Sequence, residues 1–365
     1  FCREKDPKLE QRDGAILGPE AAIASIGVDD AFPVADEDEI LPGLIESRHR
    51  IYMTMGEYPS FDARVMSYVA HIRGRESGGA GPPGEFVSLK HLLHEHRIYK
   101  SAAEIQLMRQ AAEISANAHL RAMQRVRPGM LEGELEAELV YEFMRNGAPV
   151  AAYPSIVGGG ENACVLHYVN NNCVLNAGEL VLIDAGCEYE HYAGDITRTF
   201  PVDGRYSAAQ KEIYNIVLAA NLAAIDLCRP GEHFNAPHEA AVEVMVEGLI
   251  ELGILHGDAD ELIADGSYLL FSPHKSSHWL GIDVHDVGEY RFHDEWRPLE
   301  PGMVLTIEPG IYISRGTASA QVPEQYIGIG IRIEDDVLIT HYGCDVLSKS
   351  IAKETSAIEL LMQAP

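Results

Sequence analysis

A chain of 365 residues is longer than one typical domain, so two are expected. Its apolar content of 46% allows packed cores and is too high for disorder. A formal charge of −28 argues against nucleic acid or an anionic membrane surface as partner, and favours cations or a free amino terminus. The six cysteines, Cys2, Cys164, Cys173, Cys187, Cys228 and Cys344, are scattered without CxxC pairs and read as reduced thiols of a cytoplasmic protein. No apolar run reaches transmembrane length. The chain opens on Phe1 with neither Met nor a signal-like segment, which reads as the remainder of something longer.

In chain order, residues 1 to about 90 read as βαβ-like material too short for a complete doubly wound domain. Strands are predicted at Ala24–Val28 and Ile51–Met55, a helix start with acids in its first turn at Asp36–Glu39, and a helix over Phe61–Arg73. Ser77–Gly84, rich in Gly and Pro, is the clearest linker, and a domain boundary is placed just after it. Ser101 and Glu104 form a capping box for a long helix with Ile105, Met108, Ala112 and Ile114 at helical spacing, stopping at Arg127-Pro128-Gly129. A second helix runs from Leu131 to Arg145. The pattern then repeats: Ser207 and Gln210 cap a helix that stops at Arg229-Pro230-Gly231, and another follows from Asn235 to Leu252. The segment Ala177–Gly186 echoes Pro301–Gly310, each a turn, an apolar strand, and a carboxylate followed two residues on by Gly. A repeat on this scale predicts two pseudo-symmetric α+β halves delivering acids to a shared cleft.

Chemistry concentrates in the second region. His274, His278 and His285 sit among Gly and β-branched residues, in a segment predicted as loop and strand, and the neighbouring Trp279, Leu280 and Ile282 are expected to be buried. Buried imidazoles need partners. Four carboxylates stand in apolar or alternating segments: Asp184 and Glu308 end apolar runs, Asp195 alternates with Thr197 and Thr199, and Glu334 shares a strand face with Arg332. Any one alone is most often a strand end meeting a loop; four together with a histidine cluster point to cations. Asp184, Asp195, Glu308, Glu334 and one histidine, His278 foremost, make an oxygen-rich set that suits manganese, magnesium or iron(II). Four carboxylates carry too much charge for one divalent ion. Two ions sharing a water would make hydroxide near neutral pH, so the expected reaction is hydrolysis. His274 and His285 can bind substrate or carry protons, Arg332 can hold a ligand carboxylate, and His167 can reach the cleft.

Six segments carry a specific resemblance: Ile183–Cys187, Gly194–Arg198, Ser277–Gly281, Val284–Gly288, Thr306–Gly310 and Gly330–Asp335. They resemble the pita-bread metallopeptidases, and within them the Xaa-Pro aminopeptidases (aminopeptidase P). The resemblance runs from about residue 92 to the C-terminus. Residues 1–90 are similar to the C-terminal part of that family's N-terminal domain. The resemblance implies an α+β fold, with a pita-bread (creatinase/aminopeptidase-like) catalytic domain over 91–365 and a partial α/β N-terminal domain over 1–90. It implies that Asp184, Asp195, His278, Glu308 and Glu334 bind two Mn2+ ions, other divalent metals being possible. Asp195 and His278 would hold one ion, Asp184 would chelate the other, and Asp195 and Glu334 would bridge. Glu308 would also serve as general base. His274 and His285 would contact the scissile peptide and prolyl side, His167 would lie near the departing group, and Arg332 would support the ligands. The implied substrate is a peptide with proline second, whose tertiary amide lacks an N–H, and the implied assembly is a homo-oligomer, dimer or tetramer.

Two features depart from the family's pattern. Lys275 follows His274 where smaller residues such as Gly are common, and the N-terminal domain is expected to be truncated. The nearest rival is prolidase, which shares the ligands but cleaves only Xaa-Pro dipeptides; the stretch Gln321–Tyr326 favours the aminopeptidase. Methionine aminopeptidase fits less well because about 90 residues precede the catalytic region. Creatinase lacks the metal ligands, and a non-catalytic partner-binding module would be expected to have lost some.

Overall fold

The computed structural model describes residues 1–75, 81–316 and 322–363. Half of the predicted linker, residues 77–80, and Gln321 lie outside those ranges. The chain divides into two compact units, Phe1–Leu93 and His94–Pro365.

The first unit contains helices α1 (Pro7–Asp13), α2 (Gly18–Ile26), α3 (Glu37–Ile45) and α4 (Pro59–Arg73), with strands β1 (Arg50–Met53) and β2 (Glu85–Ser88). β1 and β2 pair in parallel, Arg50 opposite Glu85 and Met53 opposite Ser88, and α4 connects them. Ala24–Val28 is not the predicted strand. Ala24 to Ile26 finish α2, and Gly27 closes it in the left-handed conformation with its N–H on the Ile23 carbonyl. Apolar residues beside a glycine suit a helix end as well as a short strand, and local pattern alone cannot separate them.

Helix α5 (Leu89–Ile98) runs across the division between the units. The second unit continues with α6 (Ala102–Arg125), α7 (Glu132–Arg145) and strands β3 (Val150–Ala151), β4 (Ile156–Gly159), β5 (Leu180–Asp184), β6 (Cys187–Tyr189), β7 (Tyr192–Ala193) and β8 (Thr197–Pro201). Helices α8 (Ala208–Asp226), α9 (Ala236–Glu251) and α10 (Ala259–Ala264) follow. Then come β9 (Arg291–Phe292), β10 (Glu295–Trp296), β11 (Val304–Ile307), β12 (Gly310–Ile313), β13 (Ile329–Arg332), β14 (Asp335–Ile339), β15 (Cys344–Val346) and α11 (Thr355–Met362). Both predicted capping boxes form, Ser101 with Glu104 on α6 and Ser207 with Gln210 on α8.

Sheet order brings the acids together. β5 lies between β4 and β8, which sets Asp184 opposite Ile156 and Thr197. β11 pairs with β14 and β12 with β13, so Gly310 faces Arg332. The echoed glycines have a packing reason. A Cβ on Gly186 would lie 1.7 Å from the Gly194 carbonyl oxygen, and one on Gly310 would lie 2.4 Å from the Tyr312 hydroxyl. Each carboxylate-bearing strand therefore leaves the cleft beneath a close approach that admits no side chain.

His119 of α6 is wholly buried, with Nε2 3.0 Å from the Ala185 carbonyl and Nδ1 without a partner among the described residues. Burial pushes its imidazole down to about 4, below the ordinary value near 6.5 of the unfolded chain. Between those values the unfolded state takes up the proton more readily, so stability falls as pH drops from about 6.5 to about 4 and is unaffected above. The expected outcome is that His119→Gln, which can keep a donor on Ala185, flattens this part of the acid dependence by up to about 3 kcal/mol. Urea unfolding across that range measures it.

Candidate metal centre

Every residue singled out from the sequence lines one cleft of about 560 Å³: Asp184, Asp195, His278, Glu308 and Glu334, together with His167, His274, His285 and Arg332. Strand ends place the acids. Asp184 closes β5, Glu308 follows β11, Glu334 sits between β13 and β14, and Asp195 precedes β8. The histidine segment is loop, touched by one bridge between Trp279 and Leu305. Trp279 and Leu280 are buried as expected. Ile282 is not; it is 41% exposed, because the loop turns outward between Gly281 and His285.

Asp195, His278 and Glu334 form the tightest group, each offering a ligand atom within 4.8 Å of the others. Asp184 and Glu308 share the cleft but stand outside that triad. Asp184 Oδ2 is 2.6 Å from Arg332 Nη2, and its Oδ1 accepts from the Tyr153 hydroxyl at 2.7 Å. Glu308 lies 3.6 Å from His278 Nε2 and 3.7 Å from His274 Nδ1.

The donor chemistry fits cations. Burial pushes the carboxyls of Asp195 and Glu334 upward, and their acidic neighbours add to it. Glu308 is pushed up to about 7, chiefly by burial, with His278 and Arg332 opposing. A cluster of buried acids raised by one another is a site where positive charge is missing. His278 is oriented for it. Its Nδ1 lies 3.0 Å from the Trp279 carbonyl and donates there, which turns Nε2 towards Asp195 at 3.3 Å. Burial alone would lower this imidazole, but Asp195 and Glu308 raise it to about 9. His274 is tied the same way, Nδ1 to the Lys275 carbonyl at 2.9 Å and Nε2 accepting from the Tyr312 hydroxyl at 2.9 Å. Burial and Arg332 bring it down to about 4, so it stands neutral. His285 packs edge-on against His278 with ring centres 4.4 Å apart, and reaches solvent at the mouth.

Sequence reasoning missed three participants. The Tyr153 hydroxyl lies between Asp184 and Asp195, 2.5 Å from the latter, so one proton is shared by two acids. Tyr312 accepts from Arg332 Nη1 at 2.8 Å and links it to His274. Beneath Glu334, Arg198 is fully buried, 2.8 Å from Asp335, which also accepts from Lys353 at 2.7 Å. The Asp195-Thr197-Thr199 alternation was a usable signal. The Thr197 hydroxyl donates to Glu334 at 2.6 Å and accepts from Arg332 Nε at 3.1 Å.

Comparison with known proteins gives concordant findings. Residues 106–341 match metallopeptidase family M24, and residues 1–52 match the aminopeptidase P N-terminal domain. The chain is 48% identical to the Xaa-Pro aminopeptidase of Escherichia coli (strain K12), covering all of this chain and 82% of the relative. It is 44% identical to that of Haemophilus influenzae, covering 99% and 81%. The Pseudomonas aeruginosa aminopeptidase PepP superposes with a TM-score of 0.95 at 55% identity, over 99% of this chain and 81% of that one. An Escherichia coli aminopeptidase P variant in complex with substrate superposes at 0.94 with 47% identity, over 99% and 81%. The fold is the pita-bread fold expected from the sequence segments.

Thr197→Val keeps the shape and removes the hydrogen bond that orients Glu334. The expected outcome is divalent-cation affinity weakened about 10–100-fold, read by calorimetric titration, with an unchanged circular dichroism spectrum. Unchanged affinity would confine Thr197 to packing.

Proposed function

Because the chain belongs to metallopeptidase family M24, we propose that it hydrolyses the peptide bond before proline, releasing the first residue of peptides with proline second. One observation carries this reading: a candidate ligand set, three further histidines and a supporting arginine converge on one cleft that also has an apolar wall of Pro154, Ile156, Leu166 and Val169. That wall suits a prolyl ring. Relatives named Xaa-Pro aminopeptidase are matched along the whole chain, which favours this reading over prolidase.

Asp184, Asp195, His278, Glu308 and Glu334 would hold two manganese ions, the hard cation that an oxygen-rich set prefers. When bound, such a pair supplies an acidified water and a Lewis acid for the scissile carbonyl. The chain's own residues do the rest. Glu308, 3.6 Å from His278 Nε2 and 3.7 Å from His274 Nδ1, is positioned to accept and return a proton. Arg332 and Tyr153 hold Asp184 in place, and Thr197 holds Glu334. His274, with Nδ1 committed to backbone, and His285 at the mouth contact the substrate amide, and His167 faces the departing prolyl peptide. Residues 1–90 are proposed as a partial creatinase-like N-terminal domain and 91–365 as the catalytic domain. A cytoplasmic location is proposed, which six cysteines scattered without CxxC pairs support, and a dimer or tetramer is proposed. Among the described residues no helix is long and apolar enough to cross a membrane.

Gly-Pro-Ala and Gly-Pro are the discriminating substrates. The expected outcome is release of glycine from the tripeptide, abolished by chelator and restored by manganese; cleavage of the dipeptide alone would make the chain a prolidase. His285→Ala should lower kcat about 10²–10⁴-fold while calorimetry shows manganese binding retained.

A further inference from the structure

Four histidines line the metal cleft, and three of them are aimed by what lies next to them. His274 and His278 are each tied to the carbonyl of the following residue, and His285 packs against His278. The His167 ring makes no hydrogen bond among the described residues, so its loop alone places it. That loop leaves β4, passes through a tight helical turn over Gly160–Cys164, and brings Leu166, His167 and Val169 to the cleft before the chain enters β5.

One carboxylate grips this loop from outside the cleft. Glu132, in the first turn of α7, is wholly buried, yet no cation pairs with it among the described residues. Its charge is met by four donors from the loop. Oε1 accepts from the Gly159 N–H at 2.8 Å and from Asn162 Nδ2 at 2.9 Å; Oε2 accepts from the Cys173 N–H at 2.9 Å and from the Tyr168 hydroxyl at 2.8 Å. The loop is thus held where it begins, where it ends, and at the residue beside His167. A buried carboxylate satisfied in this way is costly to assemble and cannot lose a partner cheaply. The helix does not need it for its own start, because Glu134 already accepts from the Leu131 N–H at 2.7 Å.

The return of the loop is locked as well. Asn171 stands in the left-handed region at φ 44°, where its side chain accepts from the Val157 N–H at 3.0 Å and donates to the Ser155 carbonyl and to Glu136, each at 2.9 Å. Packing leaves the grip no slack. A Cβ on Gly133 would lie 2.9 Å from the Asn171 carbonyl oxygen, and one on Gly159 would lie 2.5 Å from Leu175 Cδ2.

Resting on the peptidase reading above, we propose that Glu132 is a positioning residue for the reaction: by holding both ends of the loop and Tyr168, it fixes His167 against the departing prolyl peptide. Glu132 acts through His167 and does not line the cleft. Each of its oxygens meets one main-chain N–H, a group that can only donate. In Glu132→Gln the amide nitrogen must therefore face Gly159 or Cys173, donor against donor, and one end of the loop is released.

The test combines kinetics on Ala-Pro-Ala with hydrogen exchange. Glu132→Gln is expected to lower kcat/KM of the manganese-loaded protein by about 10–100-fold. Calorimetric titration should show manganese affinity changed by less than about twofold, since no candidate ligand lies on the loop. In a His167→Ala background the same substitution should cost less than about threefold, because the residue it acts through is gone. Tyr168→Phe removes only the bond beside His167; it should show a smaller loss with the same dependence on His167, and it decides the question if Glu132→Gln does not fold. Exchange followed by mass spectrometry on the metal-free protein should be faster over residues 160–173 in Glu132→Gln and unchanged in α8 and α9. An equal cost with and without His167, unchanged exchange over 160–173, or manganese affinity lost in step with activity would overturn the assignment. If the unsubstituted protein does not cleave Ala-Pro-Ala, the peptidase reading fails instead, and the exchange comparison still decides whether Glu132 holds the loop.

Discussion

The cleft exists because several carboxylates are kept close together away from water. Bringing Asp184, Asp195, Glu308 and Glu334 into one partly dry space is costly, and uncompensated like charges would push the surrounding strands apart. Arg332 is the main counterweight within the protein. It is 3% exposed, lies on a strand of the second half of the catalytic unit, and reaches Asp184 on the first half while also donating to Thr197 and Tyr312. One layer below, Arg198 and Lys353 both pair with Asp335, a second charged group with one net positive charge. Asp335 is held well below the usual carboxylate range; burial pushes it up, and Arg198 and Lys353 more than offset that. Asp195, Glu308 and Glu334, which face the cleft, are raised, and Asp335 beneath it is lowered. Charge available for cations is thus separated from charge spent on holding the two halves together.

That separation explains why side chains from distant segments are so closely coupled. From Asp184 through Arg332 and Tyr312 to His274 each link is a hydrogen bond of 2.6–2.9 Å. A displacement at any member would pass to the next, since no member has room to relax in a packed interior. Gly186 and Gly310 act at the same level. Their missing side chains let the Gly194 backbone and the Tyr312 hydroxyl close over the strand ends from which Asp184 and Glu308 project.

Much of this was legible in the sequence, and the parts that were not share a physical cause. Ser101-Glu104 and Ser207-Gln210 could be read because a cap is a contact between residues three apart. Acids ending apolar strands could be read because burial of a lone carboxylate is expensive enough to demand a reason. Tyr153 could not, since nothing near it in sequence marks a hydroxyl that will meet acids 31 and 42 residues away. Nor could Tyr312, which in sequence is one more residue of an apolar strand. Ala24–Val28 went wrong because a helix end capped by glycine and a short strand share a composition, and Ile282 because a strand-like pattern was carried into a loop that turns outward.

His274 and His278 share a detail with a wider consequence. Each imidazole is oriented by the carbonyl of the very next residue, Lys275 for one and Trp279 for the other. Those acceptors belong to the main chain, so no substitution at position 275 or 279 removes them. The side chain at position 275 is exposed and free to drift while the His274 ring keeps its aim; Trp279 is held by the core. A lineage could therefore recut the edge of its binding surface, a glycine here and a lysine there, without disturbing the machinery one residue away. In such a loop, selectivity and chemistry are separately heritable traits written on alternate residues.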